Sequence, residues 1–590
     1  MCGIFGYVGK KTGAAELVLE GLKRLEYRGY DSWGVAAVPL SGSTIAVKKR
    51  AGKIGEGNVD ELPKSSLAFG HTRWATHGGV TDVNAHPHLD CSKTIAIIHN
   101  GIFENYVEVK RALVKKGHHF ISETDTEVAV HLIEEYAKTM LFSKAVQKAF
   151  NAMEGLNAII VMRAADHQLI AARNGSPLVV GFGDGENFLA SDAAALLPYT
   201  KQVHYLEDNE MAIIGERAIM LFNAMTGATI HPTKQRLIWS AEDAEKGAYP
   251  SFMLKEIHEQ SATVADIAAS GGPLAQRLSA LIKKSEHVYI VGCGTASYAA
   301  TAGEYLFSKI AKTHANVAIG SEFGYHLDFL TKKSLVAAIS QSGETMDILE
   351  SVKKAKEKGA IILAIVNVMG SSLYRLADEK MVIGAGPEKA VASTKAFTGM
   401  LAHLTLLAYC LAEHRNEGER VLTLAAKSMR KVLARDTVTK IQTLAKRLKD
   451  AEHIYVIGRG LSYPAALETA LKIKEISYIH AEGLAAGELK HGPLALVTKG
   501  TPVIAFLPSD ETYGANLAGA MEMKARGGYI IGISQKPHEV FDTFIQVDDA
   551  REATIMPNVV VGQLLAYYLT VLKGLDPDMP RNLAKSVTVK

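Results

Sequence analysis

From residue 2 to about 235, hydrophobic positions fall in short runs closed by glycine or polar turn residues. Examples are IFGYVG, SLAFGHTRW, TIAIIHNG, NAIIVM and LIAARNGSPLVVGFG. Apolar runs of this length, bounded by turn residues, predict strands. Helical spacing interrupts them near Ala14–Leu25 and near Glu127–Ala137. The pattern predicts an α+β region of stacked sheets rather than a regular βαβ series. Residues 240–251, SAEDAEKGAYPS, are polar and proline-containing, which suits an inter-domain connection.

The rest of the chain repeats itself. VYIVGCG at 288–294 matches IYVIGRG at 454–460, and positions 288 and 454 lie 166 apart. VAAISQSGET at 336–345 matches VIAFLPSDET at 503–512, and KGAIILAIVN at 358–367 matches RGGYIIGISQ at 526–535. Each block is a β-branched strand followed by a Gly or Ser loop and a helical segment. That rhythm predicts two doubly wound parallel sheets between about 250 and 575. Met556–Leu572 is very apolar but broken by Pro557, Asn558 and Gln563, so it reads as a buried helix rather than a membrane span. The terminal DPDMPRNLAKSVTVK is too polar for a core and is expected to lie across another surface.

Composition changes this picture little. The 590 residues are 48% hydrophobic and 22% charged, with a net charge of +3. No long basic run points to nucleic acid as a partner. Cys2, Cys91, Cys293 and Cys410 are scattered without a CxxC, which argues against a disulfide framework or a zinc ribbon and fits a reducing cytosol. The opening MCGIFGYVGKKTG lacks the pattern of a signal peptide. A cytoplasmic chain with no membrane partner is expected.

Cys2 is small enough for the preceding methionine to be clipped. That would place a thiol and a free α-amine, with an ordinary pKa of about 8, on one residue. A thiol beside an amine is a nucleophile–base arrangement. By itself CGIFG reads rather as the apolar start of a strand. With RLEYRGYDSWG at 24–34, GHTRWATHG at 70–78, NAHPH at 84–88, HNGIFENY at 99–106 and SETDTE at 122–127, however, it resembles the N-terminal-nucleophile glutamine amidotransferase domain.

The resemblance implies an αββα sandwich and a role for each motif residue. Cys2 would attack the glutamine carboxamide, with the Asn100 amide and the Gly101 N–H as oxyanion donors. Arg73 would hold the α-carboxylate of L-glutamine and Asp125 its α-ammonium. Thr76 and His77 would make further contacts, and Trp74 would gate the route for ammonia. His71, His77, His86, His88 and His99 fit no ligand spacing with carboxylate or cysteine partners, so no metal is expected.

In SQSGET, 340–345, three hydroxyls and a glycine follow an apolar strand, a pattern whose N–H and O–H groups converge on an anion. The second copy, LPSDET, puts Asp510 where the first has Gly343, so only the first repeat is expected to hold phosphate. With GCGTAS at 292–297, VASTKAFT at 391–398, LKIKEISYIHAEGLAAGELKHGPLAL at 471–496 and PRNLAKSVTV at 580–589, the chain resembles end to end the glutamine–fructose-6-phosphate aminotransferase (isomerizing) family, also called glucosamine-6-phosphate synthases.

That resemblance implies a glutaminase domain at 2–238, a linker at 239–251, sugar-isomerase (SIS) domains at 252–430 and 431–575, and a tail at 576–590 completing the sugar site. It implies that Lys585 forms an imine with fructose 6-phosphate, that His491, supplied by a neighbouring subunit, opens the ring, and that Glu475 moves a proton between C1 and C2. Thr295, Ser297, Ser340, Gln341, Ser342, Thr345, Val391, Ser393, Lys472 and Ala584 would bind the sugar phosphate. Where the family commonly has serine directly after CGT this chain has Ala296, so one hydroxyl contact is missing or comes from Ser297. Lys472 and Glu475 share a face if LKIKEIS is helical.

Ammonia would cross an internal channel to give glucosamine 6-phosphate and glutamate, the first step of hexosamine synthesis. No cofactor is required, and at least a homodimer is implied. A non-catalytic phosphosugar sensor would keep SQSGET without Cys2 or Lys585, and would usually add a helix-turn-helix. Other amidotransferases share the front domain but not the repeated back half. A deaminase would not need the intact front site.

Overall fold

The computed structural model describes residues 2–237, 239 and 242–586. Met1, Ile238, and parts of the expected linker (Ser240, Ala241) and tail (587–590) lie outside the described residues. The chain divides into two compact units. One is Met1–Ala244 with Ala584–Lys590, and the other is Glu245–Leu583.

In the first unit, alternation along each strand builds the layers. An eight-stranded and a seven-stranded sheet are present, and the strand pairings between Gly3 and Ile230 are antiparallel. Ile4, Val8, Phe69, Ile98 and Ile160 point into one shared core between the sheets. Phe5 and Tyr7 point the other way, onto the helix Ala14–Leu25. Ile97 and Ile159 likewise face the helices on the outer side of the second sheet. The order of layers is helix, sheet, sheet, helix.

Among the described residues of this unit, four α-helices flank the sheets rather than the two that spacing alone suggests. The additional ones are Tyr106–Lys115 and Phe142–Ala152. The first buries only Leu113, so its apolar stripe is too thin to read. The second buries Phe142, Ala145, Val146, Ala149 and Phe150, a regular helical stripe.

The second unit holds two five-stranded parallel sheets of identical order. In the first, strand His287–Gly292 lies between Asn316–Ile319 and Ser334–Ser340, followed by Ile361–Val366 and Glu379–Val382. In the second, His453–Gly458 lies between His480–Ala485 and Pro502–Leu507, followed by Tyr529–Ser534 and Thr543–Gln546. Helices of both repeats merge in one apolar core. Within it, Ser462–Ser477 packs on Ile555–Leu572. The segment Arg551–Leu572 is long and apolar enough to cross a membrane, but 83% of its most apolar 18-residue stretch is buried inside the fold. Pro557 sits in that helix's first turn, where its missing N–H costs no helical bond.

Candidate active site

In the first unit, Cys2, Arg73, Trp74, Thr76, His77, Asn100, Gly101 and Asp125 line one cleft, joined by His86, His99, Thr124 and Thr126. Cys2 precedes the strand Gly3–Gly9, whose neighbour Leu67–Arg73 delivers Arg73 and leads into Trp74. The Trp74 N–H donates to Cys2 Sγ at 3.1 Å. Enclosure of the sulfur pushes the thiol pKa above its ordinary value, against the pull of the Trp74 N–H and the Arg73 charge. The resting thiol is therefore neutral near pH 7 and needs a base.

Asn100 is held from both ends of its amide. Its Nδ2 donates to the Cys2 carbonyl at 3.0 Å, and its Oδ1 lies 3.0 Å from His71 Nε2. Burial drives His71 down to about 3, so the ring is neutral. Its Nε2 faces two acceptors, Asn100 Oδ1 and the His99 carbonyl, and must carry the proton. His71 thus fixes which way Asn100 points. Gly101 has φ +130°, and a Cβ there would lie 2.1 Å from the Leu156 carbonyl, so only glycine fits.

The Arg73 guanidinium is almost fully buried and donates to the carbonyls of His77, Gly78 and Gly79. Asp125 opens the helix Asp125–Ala137, capped by the Thr124 hydroxyl, and its Oδ2 accepts from the Phe103 N–H at 2.8 Å. A cation on one wall and a carboxylate on another suit a zwitterion.

Histidines 71, 86, 88 and 99 turn out to be this cleft's frame. His71 stacks on His86 at 4.2 Å. His88 meets the Thr124 hydroxyl at 3.0 Å, and His99 meets the Thr126 hydroxyl at 3.0 Å. Burial lowers the pKa of all four.

In the second unit, SQSGET forms a hydrogen-bonded loop after strand Ser334–Ser340. The Gly343 N–H donates to Ser340 Oγ at 3.0 Å, Ser340 Oγ lies 3.1 Å from Thr345 Oγ1, and the Glu344 N–H donates to Ser342 Oγ at 3.1 Å. Gly343 has φ +65°, and a Cβ there would meet Ser371 Oγ at 2.0 Å. Gln341 and Ser342 stand half-buried beside it. In the second repeat, Asp510 Oδ1 accepts from the Thr512 N–H at 2.9 Å and its hydroxyl at 2.6 Å. Asp510 places a carboxylate in the second loop where the first has Gly343.

Thr295 opens the helix Thr295–Leu306 and meets the second repeat directly. Its Oγ1 lies 3.2 Å from Lys472 Nζ and 3.4 Å from Glu468 Oε1. Lys472 Nζ also lies 2.6 Å from Glu475 Oε2 and 3.4 Å from Glu468 Oε1. All three second-repeat residues lie on the helix Ser462–Ser477. Lys472 is fully buried. Burial opposes its charge, but the two carboxylates outweigh it and raise its pKa. Burial, with Glu475 adding to it and Lys472 opposing, pushes the Glu468 carboxyl up to about 8. At neutral pH Glu468 is then a neutral acid and Lys472 pairs with Glu475. The sequence reading missed Glu468; its one signal was the i, i+4 spacing to Lys472.

Other predicted residues are placed differently. Ser297 Oγ donates to the Gly294 carbonyl at 2.7 Å. Ser393 Oγ donates to Glu388 Oε2 at 3.0 Å, and the Val391 N–H to the Asp578 carbonyl at 2.9 Å. His491 is exposed at the end of the turn Glu488–His491. Ala584 and Lys585 are half-buried and belong to the first unit.

The glutamine amidotransferase domain family matches residues 43–231, and the SIS domain family matches 281–409 and 447–572. Over its whole length the chain is 45% identical to a glutamine–fructose-6-phosphate aminotransferase (isomerizing) of Pyrococcus horikoshii, spanning all of both proteins.

The chain belongs to the glutamine–fructose-6-phosphate aminotransferase (isomerizing) family.

Members from Thermococcus kodakarensis, at 45% identity, and Thermus thermophilus, at 42%, also match over the full length of both chains. Among solved structures, the C-terminal domain of the family member from Francisella tularensis is similar, at TM-score 0.52 and 35% identity, over 57% of this chain and 99% of its own. A tagatose-6-phosphate ketose/aldose isomerase from Escherichia coli shares the fold alone, at TM-score 0.50 and 18% identity, over 57% of this chain and 96% of its own.

Proposed function

We propose that this chain makes glucosamine 6-phosphate and glutamate from fructose 6-phosphate and glutamine. The observation that carries the reading is its end-to-end relationship to aminotransferases of that name. The cleft around Cys2 supports the glutaminase half, and the SQSGET loop with the Lys472–Glu475 pair supports the sugar half.

In the first half, removal of Met1 leaves the Cys2 α-amine as the base that takes the thiol proton. Sulfur attacks the glutamine carboxamide carbon, and Asn100 Nδ2 and the Gly101 N–H hold the oxyanion. Ammonia leaves, a thioester forms, and water then releases glutamate. In the second half, the SQSGET loop and Thr295 hold the phosphate and His491 opens the ring. Lys585 forms an imine at C2. Ammonia displaces Lys585, and Glu475 carries a proton from C1 to C2 to give the aldose amine.

The exposure of His491 on a single chain supports donation to a neighbouring subunit, and so at least a homodimer. All four cysteines are free thiols, which supports a reducing cytosol. The test follows glutamate and amino sugar together. The two should form in equal amounts, and alkylation of Cys2 should stop both. Glutamate formation without amino sugar, with both substrates saturating, would overturn the sugar half.

A further inference from the structure

The first unit carries a second cluster of side chains, which the glutaminase cleft does not use. Cys91 sits in the turn after strand His88–Leu89, and His118 follows the helix Tyr106–Lys115. His131 and Glu134 lie one turn apart on the helix Asp125–Ala137. Their donor atoms converge. His118 Nδ1 and His131 Nδ1 are 3.3 Å apart, and each lies 3.0 Å from Glu134 Oε2. Cys91 Sγ lies 3.5 Å from His131 Nδ1 and 3.9 Å from His118 Nδ1. One ligand atom from each residue fits within a span of 4.8 Å.

Hydrogen bonding alone accounts poorly for this arrangement. The far nitrogen of each ring also faces a carboxylate, His118 Nε2 at 3.2 Å from Glu135 and His131 Nε2 at 3.9 Å from Glu127. A neutral imidazole carries one N–H. Each ring therefore meets an acceptor at both nitrogens, and a second proton on His131 would only turn one Nδ1–H toward the other ring. The two Nδ1 atoms crowd one oxygen and one another. A cation at the centre resolves this. It takes the four inner atoms as ligands and leaves the outer N–H of each ring to its carboxylate, the usual outer shell of a metal-bound histidine.

We propose that Cys91, His118, His131 and Glu134 form a structural zinc site. Zinc bonds of about 2.0–2.3 Å in a tetrahedron put ligand atoms about 3.3–3.7 Å apart, close to the separations found. One thiolate, one carboxylate and two neutral imidazoles balance a divalent ion, and a thiolate with imidazoles suits zinc over magnesium or calcium. The ion would tie two loops to the helix whose first residue is Asp125, steadying that wall of the glutamine cleft. The metal-free expectation weighed only the five histidines of the cleft, and this site uses two others.

The test uses the full-length protein and zinc alone. After equilibration with zinc and gel filtration, elemental analysis should find one zinc per chain. The cobalt(II) form should show a thiolate-to-cobalt absorption band that Cys91→Ser abolishes. Cys91 is exposed, so this variant should fold, and circular dichroism checks it. In chelator competition, Glu135→Gln, which touches only the outer shell, should weaken zinc affinity by about 10- to 100-fold. The proposal is overturned if the wild-type chain retains no zinc, if its cobalt form lacks the band, or if Cys91→Ser binds zinc as tightly as wild type.

Discussion

The two SIS repeats share a strand order and matching backbone turns, yet each carries different polar groups on them. Gly294 and Gly460, at the repeat offset of 166, have φ of +53° and +55°. Gly359 and Gly527 have φ of +88° and +91°. The frames are therefore the same down to single left-handed residues. The first repeat keeps the open SQSGET loop, and the second closes its loop with Asp510. Conversely, the second repeat's helix carries Glu468, Lys472 and Glu475. The first has Ala302, Leu306 and Lys309 at the same offset, and the first two of these are core residues. One copy carries the hydroxyl-rich loop and the other the helix with Glu468, Lys472 and Glu475, and Thr295 meets Lys472 at 3.2 Å. The parallel sheets position groups at their carboxyl ends, but which groups stand there is decided repeat by repeat.

Four substitutions break or sharpen this contrast, in descending size of effect. Lys472→Met removes the buried cation that lies between the buried Glu468 carboxyl and the partly exposed Glu475 carboxylate. Loss of one partner from a buried pair costs about 3–5 kcal/mol, read as a lower midpoint of chemical unfolding. Gly343→Asp imports the second repeat's residue. It places a charge in the anion loop and a Cβ against Ser371 at φ +65°. Losing a charged hydrogen bond, at about 1.5–3 kcal/mol, should raise KM for fructose 6-phosphate about 100-fold. Glutamine hydrolysis without sugar should be unchanged.

Glu468→Gln tests the neutral acid. A carboxyl raised from 4.5 to about 8 binds more protons folded than unfolded between those values, so it makes stability fall as pH rises through that window. Glutamine cannot titrate. The variant's unfolding midpoint should match wild type near pH 5 and exceed it near pH 8, and equal pH profiles would contradict the assignment. Asp510→Gly has the smallest effect. It removes the bonds to Thr512, worth about 1 kcal/mol, and should leave KM for fructose 6-phosphate within twofold.

The frame was legible in the sequence because it rests on periodicity. Strands such as Gly3–Gly9 and Ser334–Ser340 bury every residue and read as unbroken apolar runs. The repeat was visible because strand, turn glycine and helix recur in register. The cleft residues were legible as motifs, since Asn100, Gly101 and Asp125 sit at fixed places on strand and helix ends. What escaped depends on tertiary contact. Glu468 looks like any helical carboxylate until burial and the Lys472 contact are seen. Ser297 looks like a spare hydroxyl until its bond to the Gly294 carbonyl is seen. Cys91 and His131 are 40 residues apart and share no motif spacing.

The most direct test supplies glutamine labelled with nitrogen-15 in its side-chain amide, together with fructose 6-phosphate and unlabelled ammonium. The account predicts that the label appears in the C2 amine of glucosamine 6-phosphate, one atom for each glutamate formed. Amino sugar carrying only unlabelled nitrogen, while glutamate accumulates, would contradict it.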